Sequence, residues 1–419
     1  MKLDDANTDT SAFTEQPNRA AQPLRIALVT ETYPPEINGV AMTLGRMVTA
    51  LRERGHIVDI TRPRQAHERQ HEPQRATQAA GSDHLVKGLP IPGYPELRFG
   101  LPATTALKNR WRANRPDIVH IATQGPLGWS ARNAARSLGI AVSSSFHTNF
   151  DSYSRHYGVG WMKPLIASVL RKFHNGTDAT MVPTRSLAGE LACNGLHNTS
   201  VISRGIDTRL FNPLRRSANL RSQWEARPDD LVVAYVGRIA AEKNMDMVFA
   251  AFAEIQCARH DARLVLVGDG PMLNALKKRY PQHIFSGMQR GEALAAHYAS
   301  ADLFLFPSLT ETFGNVTVEA MASGLGVVAY QYAAAAELID DGHNGLLAAI
   351  DDPNGFINSA VALATNRALL SRMRLRAVAS VSHLHWAQIG DDFTTRLRAV
   401  IKAHDRKQRA RDALIIAAE

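Results

Sequence analysis

Cysteine is scarce in this chain: two residues, Cys193 and Cys257, among 419. They stand in different halves, so they offer neither a disulfide framework nor a metal-ligand spacing, and a reducing compartment such as the cytosol fits. Long apolar runs are also missing. No stretch approaches the roughly 18 apolar residues that a membrane-spanning helix needs. Residues Met1–Pro23 are polar without an apolar h-region, which argues against a secretory signal and predicts a disordered tail. No D-x-D sequence occurs, and neither G-x-x-x-x-G-K-[ST] nor G-x-G-x-x-G follows a strand pattern. P-loop and dinucleotide readings lose support accordingly. Acidic residues are outnumbered, 39 against 48 Lys and Arg, giving a net charge of +9 and a pI near 9.7. That excess favours an anionic partner: a nucleotide, a membrane surface or nucleic acid. No basic motif interleaved with aromatics supports nucleic acid.

What is present is an ordinary globular composition, 45% apolar and 21% charged. The length suggests two domains of about 200 residues each. Ile26–Val29 reads as a buried strand, residues 40–54 as a helix stopped by Gly55, and Ile57–Ile60 as a second strand. Strand, glycine loop, helix and strand make a βαβ unit and imply a parallel sheet, with ligands at the carboxyl ends of its strands. Asn38-Gly39 opens the helix at that end, and glycine there lets a ligand approach the backbone. His147 follows the strand Ile140–Ser144 at the same end of the sheet, although a lone histidine is more often structural. The helix pattern Trp161–Phe173 is amphipathic and basic. Residues 67–78 read as a solvated loop, 89–101 as irregular or edge structure, and 108–115 as a basic cluster around Trp111. The polar stretch 208–230 reads as a connector.

A second α/β unit begins at Val232–Val236. Arg238 and Lys243 lie on its first strand-to-helix turn, and Gly268 and Gly270 end the next strand, allowing close approach to a ligand. Ile284-Phe285 is a short strand, with Gly287-Met288-Gln289 after it. The chain is organised around residues 306–326, FPSLTETFGNVTVEAMASGLG. The strand Leu303–Phe306 is broken by Pro307-Ser308. Glu311 precedes Phe313-Gly314-Asn315, and a helix carrying Glu319 follows. A strand-to-helix turn presents free backbone N–H groups and a helix dipole to an anion. The carboxylates beside it accept from hydroxyls. Phosphate plus several hydroxyls describes a nucleotide sugar.

Glu311 and Glu319 in ETFGNVTVE resemble the E-x7-E motif of retaining GT-B glycosyltransferases of family 4. GRIAAEKN and LVLVGDGP resemble the same family, in order, and the likeness runs from about Leu24 to about Phe393. It implies the GT-B fold: two doubly wound, Rossmann-like α/β domains facing across a cleft. Expected boundaries are a tail at 1–23, an acceptor domain at 24–206, a donor domain at 207–384, and a last helix from 385 that crosses back. The resemblance makes His147, Arg238, Lys243 and Glu311 the catalytic set. It makes Asn38, Gly39, Gly268, Gly270, Met288, Phe313, Gly314, Asn315 and Glu319 the donor-binding set. Arg238 and Lys243 would hold the diphosphate, Glu311 the sugar hydroxyls, Glu319 the ribose and His147 the sugar, with no metal and no cofactor. Family members are taken to react on one face of the sugar, so neither carboxylate is assigned as a nucleophile. Two departures stand out: Gly326 replaces a common proline, expected to change only stiffness, and Ala333–Ala336 replaces a loop commonly containing glycine or arginine.

The segment ETYPPEINGVAMTLGRMV resembles bacterial GDP-mannose-dependent α-mannosyltransferases that build glycolipids. Expected partners are therefore GDP-mannose, a lipid or glycan acceptor, and an anionic membrane surface touched peripherally from the cytoplasm. UDP-sugar-dependent glucosyl or galactosyl transfer is the alternative donor reading. An epimerase or a non-catalytic sugar-nucleotide-binding protein of the same shape is the alternative class.

Overall fold

The computed structural model describes residues 22–36, 38–65, 68, 81–91, 94–147 and 163–416. In the first half the strands are β1 (Arg25–Val29), β2 (Ile57–Pro63), β3 (Asp83–Val86), β4 (Gly88–Ile91), β5 (Tyr94–Gly100), β6 (Ile118–Ile121), β7 (Ala141–Ser145), β8 (Ala179–Val182) and β9 (Thr199–Val201). In the second they are β10 (Val232–Val236), β11 (Arg263–Val267), β12 (Ile284–Gly287), β13 (Leu303–Phe306), β14 (Gly326–Tyr330) and β15 (Leu346–Ala348). The first sheet runs β3-β2-β1-β6-β7-β8-β9 and the second β12-β11-β10-β13-β14-β15, with every pairing in both parallel. Strands such as VVAYV and LFLF are buried at every position. Continuous β-branched and apolar runs suit them because crossover helices cover both faces of a parallel sheet.

Each sheet grows outward from one strand, then resumes on that strand's other side. The switch points lie between β1 and β6 and between β10 and β13. Loops leaving the two central strands diverge there and open a crevice at the carboxyl ends.

The chain passes between the two units at Ile206 and again at His385, which form a bridge with each other. The helix Trp386–Ile416 then returns to the first sheet, where Phe393, Leu397 and Val400 pack with Ile26, Leu44 and Val48. Several sequence readings need correction. The 208–230 connector is structured, and its Arg216 and Arg221 join Arg374 around the buried Asp302 carboxylate at 3.0, 3.0 and 3.1 Å. Residues 88–100 hold the antiparallel pair β4 and β5. Trp111 is 3% exposed and belongs to the core, so it presents no surface aromatic. The 67–78 loop lies outside the described residues except Glu68, which grips Arg62 at 2.6 Å instead of being merely solvated.

Candidate active site

The second switch point brings together the loops after β10 and β13. A 3-10 turn, Ala241–Lys243, follows β10, and left-handed Asn244 turns the chain into the helix Met245–Ala258. That geometry aims Lys243 at the neighbouring loop. Its Nζ donates to Glu311 Oε1 at 2.5 Å, to the Thr310 carbonyl at 3.0 Å and to Ser308 Oγ at 3.3 Å. Ser308 Oγ in turn donates to Glu311 Oε1 at 2.9 Å, so Glu311 is held from two sides. Arg238 lies on the same turn and pairs with Glu242, largely buried, at 3.3 Å.

Gly314 (φ +89°) caps the helix Asn315–Ala322, a left-handed conformation that disfavours any side chain. The first-turn N–H groups of such a helix have no partner within it. Glu319 lies one turn in, where Tyr298 Oη donates to its Oε2 at 2.9 Å. It retains some surface, yet the protein surrounding its carboxyl pushes the pKa up to about 7 by desolvation, against the Tyr298 hydrogen bond.

The first domain contributes at the carboxyl ends of β1 and β7. Asn38 caps the helix Gly39–Glu53: its Oδ1 accepts from Val40 N at 3.1 Å and Ala41 N at 2.9 Å. Its Nδ2 donates to Thr32 Oγ1 at 2.7 Å. A Cβ on Gly39 would meet nothing within 4 Å among the described residues, so no described neighbour demands glycine there and the backbone lies open to a ligand. His147 is at the end of its described segment, with Nε2 buried and without a partner among the described residues. Desolvation, then Arg204, His120 and His174, hold its pKa well below the ordinary histidine value, so the ring is neutral at pH 7.

Residues 37–210 match the family description "Glycosyltransferase Family 4" and residues 230–366 match "Glycosyl transferases group 1". A GDP-mannose-dependent alpha-mannosyltransferase of Mycolicibacterium smegmatis is 32% identical over 387 residues, 90% of this chain and 98% of the relative. The chain belongs to glycosyltransferase family 4. A sulfoquinovosyl transferase of Arabidopsis thaliana is 28% identical over 349 residues, 82% of this chain and 66% of the plant protein. The sucrose-phosphate synthase structure from Thermosynechococcus elongatus superposes with a TM-score of 0.74 at 20% identity, covering 91% of this chain and all (100%) of that one. The fold is therefore GT-B.

On this family 4 enzyme the donor-binding candidates divide. The Phe313 ring is buried in the core beneath the second sheet, with the Arg204 guanidinium over its face at 5.6 Å. Gly268 and Gly270 have a reason inside the chain, not only toward a ligand. A Cβ on either would collide with the Gly237 or Ile239 carbonyl oxygen, because adjacent βα loops pack backbone to backbone. Met288 is 56% exposed beyond β12. Asn315 Oδ1 is buried without a partner among the described residues. Gly326 is not merely a matter of stiffness: its N–H bonds Asp302 O at 3.0 Å, a bond proline would remove. Ala333 adopts φ +52°, the left-handed region, at the start of the alanine segment.

Four side chains escaped the sequence reading: Ser308, Tyr298, Glu242 and Arg204. No local pattern marks a serine or tyrosine that acts by touching a residue on another element. Arg204 lies in the stretch Ser203-Arg204-Gly205-Ile206-Asp207, and only the fold brings it to the cleft.

Proposed function

We propose that this family 4 enzyme transfers mannose from GDP-mannose, with retention of configuration, to a hydroxyl of a lipid acceptor, without a metal ion. The reading is carried by the Lys243–Glu311 pair at the switch point: a cation for phosphate and a carboxylate for hydroxyls, fixed 2.5 Å apart between two divergent loops. Arg238 and Lys243 take up negative charge as the diphosphate departs. Glu311 accepts from sugar hydroxyls and Glu319 from the ribose. Neutral His147 hydrogen-bonds the sugar rather than titrating. Departure and attack on one face leave the carboxylates out of covalent chemistry. The mannose assignment leans on the mycobacterial relative; the sulfoquinovosyl relative is named for a different sugar, and a UDP-sugar donor is the second reading.

A membrane-bound acceptor is supported by the helix Lys163–His174, where Leu165 is 61% and Val169 45% exposed, with Arg171 and Lys172 exposed near them. No helix among the described residues is long and apolar enough to cross a membrane. Contact through this helix would be peripheral.

The test is a panel of GDP- and UDP-sugars with diacylglycerol-based acceptors in vesicles, scoring nucleotide release and the anomeric configuration of the product. GDP release from GDP-mannose with an α-linked lipid product is expected. Turnover confined to UDP-sugars would favour the second donor reading, and sugar interconversion without nucleotide release would remove transfer altogether.

A further inference from the structure

Four arginines are buried among the described residues: Arg62, Arg132, Arg204 and Arg221. Three are matched by oxygen acceptors. Arg62 pairs with Glu68, Arg221 with Asp302, and Arg132 donates to the Lys172 and Phe173 carbonyls. Arg204, 9% exposed, makes no hydrogen bond or ion pair to any described residue. Its guanidinium carbon stands 5.6 Å from the centroid of the Phe313 ring.

Burying most of a cation without an anionic partner takes away hydration that nothing replaces. A cation–π contact offsets only part of that loss. Desolvation lowers the Arg204 pKa to about 10, with Glu311 opposing, so it stays charged at neutral pH. The location is specific. Arg204 belongs to the first domain, just beyond β9. It feels His147 on its own side and Glu311 on the other, and it faces the ring of Phe313, next to the helix-opening Gly314. Arg238 and Lys243 have carboxylate partners of their own in Glu242 and Glu311. Among the described residues, Arg204 is the crevice cation with no carboxylate in an ion pair with it, and it feels Glu311 only at longer range.

We propose that Arg204 is a further catalytic residue: a cation reaching from the first domain to bond the distal phosphate of the nucleoside diphosphate leaving group, across from Arg238 and Lys243. The proposal rests on reading the site as one for nucleotide sugars. It makes the distal phosphate the group both domains grip, so a nucleoside monophosphate should not sense Arg204 and a diphosphate should.

The experiment compares wild type with Arg204→Met and Arg204→Lys, measuring calorimetric Kd for GDP, UDP, GMP and UMP, the ligand-free Tm, and acceptor KM. For Arg204→Met the diphosphate Kd should rise roughly tenfold or more and kcat/KM fall by roughly a hundredfold. The monophosphate Kd should not change, and the ligand-free Tm should stay or increase, because an unmatched buried charge has been removed. Arg204→Lys should fall between, keeping charge but losing the planar fork. A lower ligand-free Tm with unchanged diphosphate affinity would make Arg204 structural and overturn the proposal. Unchanged diphosphate affinity with a raised acceptor KM would overturn it too, placing the anion on the acceptor. If wild type binds none of the nucleotides, the nucleotide-sugar reading falls and this proposal with it.

Discussion

Lys243 Nζ lies 2.5 Å from Glu311 Oε1, an ion pair that ties the loop after β10 to the loop after β13. Both side chains are mostly buried, at 16% and 17% exposure, so the pair is fixed rather than fluctuating on a surface. The same two groups that would handle a donor therefore also hold the two loops of the crevice together.

A double-mutant cycle with Lys243→Met and Glu311→Gln should show this. Each single change strands one partly buried partner, costing about 1–3 kcal/mol, and the double variant should cost less than the sum. Urea unfolding gives the numbers. Strict additivity would mean that the pair contributes no coupling. In turnover, Lys243→Ala and Arg238→Ala should each lower kcat/KM about a hundredfold, and EDTA should leave the wild-type rate intact.

Glu319 supplies a pH dependence. Its folded pKa, about 7, stands above the 4.5 of an unperturbed carboxyl. The folded state binds the proton more tightly, so Glu319 adds no penalty below about pH 4.5, destabilises increasingly up to pH 7, and levels off above it. Glu319→Gln, which can still accept from Tyr298, removes that penalty. The Tm difference favouring the variant should grow from pH 5 to pH 8, by on the order of 2–3 kcal/mol in stability. A constant offset across this range would contradict a raised pKa. Ribose hydroxyls prefer the ionised carboxylate, so wild-type nucleotide affinity should increase over the same interval, and the increase should vanish in Glu319→Gln.

Asp302 anchors the far end of β13. Its carboxylate is buried among Arg216, Arg221 and Arg374, and Oδ2 accepts from Val232 N at 3.0 Å. Asp302→Asn leaves these cations poorly matched and should destabilise the second domain by about 3–5 kcal/mol. Calorimetry should show a lower transition, and nucleotide binding at low temperature should persist because the carboxyl-end loops are untouched.

Ala333 at φ +52° should respond oppositely. A left-handed alanine costs roughly 1–2 kcal/mol, and glycine returns part of that as unfolded-chain entropy. Ala333→Gly should stabilise by about 0.5–1 kcal/mol, seen as a higher Tm. A fall in Tm would show that the methyl group's packing outweighs the backbone strain.

Peripheral membrane contact predicts sedimentation with anionic vesicles at low salt and release at high salt, since each Lys or Arg contributes about 1 kcal/mol over a Debye length of about 8 Å. Leu165→Ser with Arg171→Glu should reduce binding and leave nucleotide affinity unchanged. Indifference of the wild type to such vesicles would count against a lipid acceptor.

The sequence by itself determined the architecture. Short apolar runs such as VVAYV and LFLF, rich in β-branched or aromatic residues, read as buried strands, helix stops at Gly55 and Gly324 are local chemistry, and the spacing of Glu311 and Glu319 places them on the two sides of one strand-to-helix turn. These features depend on neighbours a few residues away, and local physics writes them into the chain. Tertiary structure alone decided what each group touches. Lys243 meets Glu311, 68 positions away in sequence, because β13 lies beside β10. Trp111, basic by its neighbours, is taken into the core by helix packing. Gly268 and Gly270 answer to a neighbouring backbone. Arg204 becomes a buried, unmatched cation only when the two domains face each other. Burial and long-range partnership depend on which strands are adjacent, and no local pattern around Arg204 carries that information.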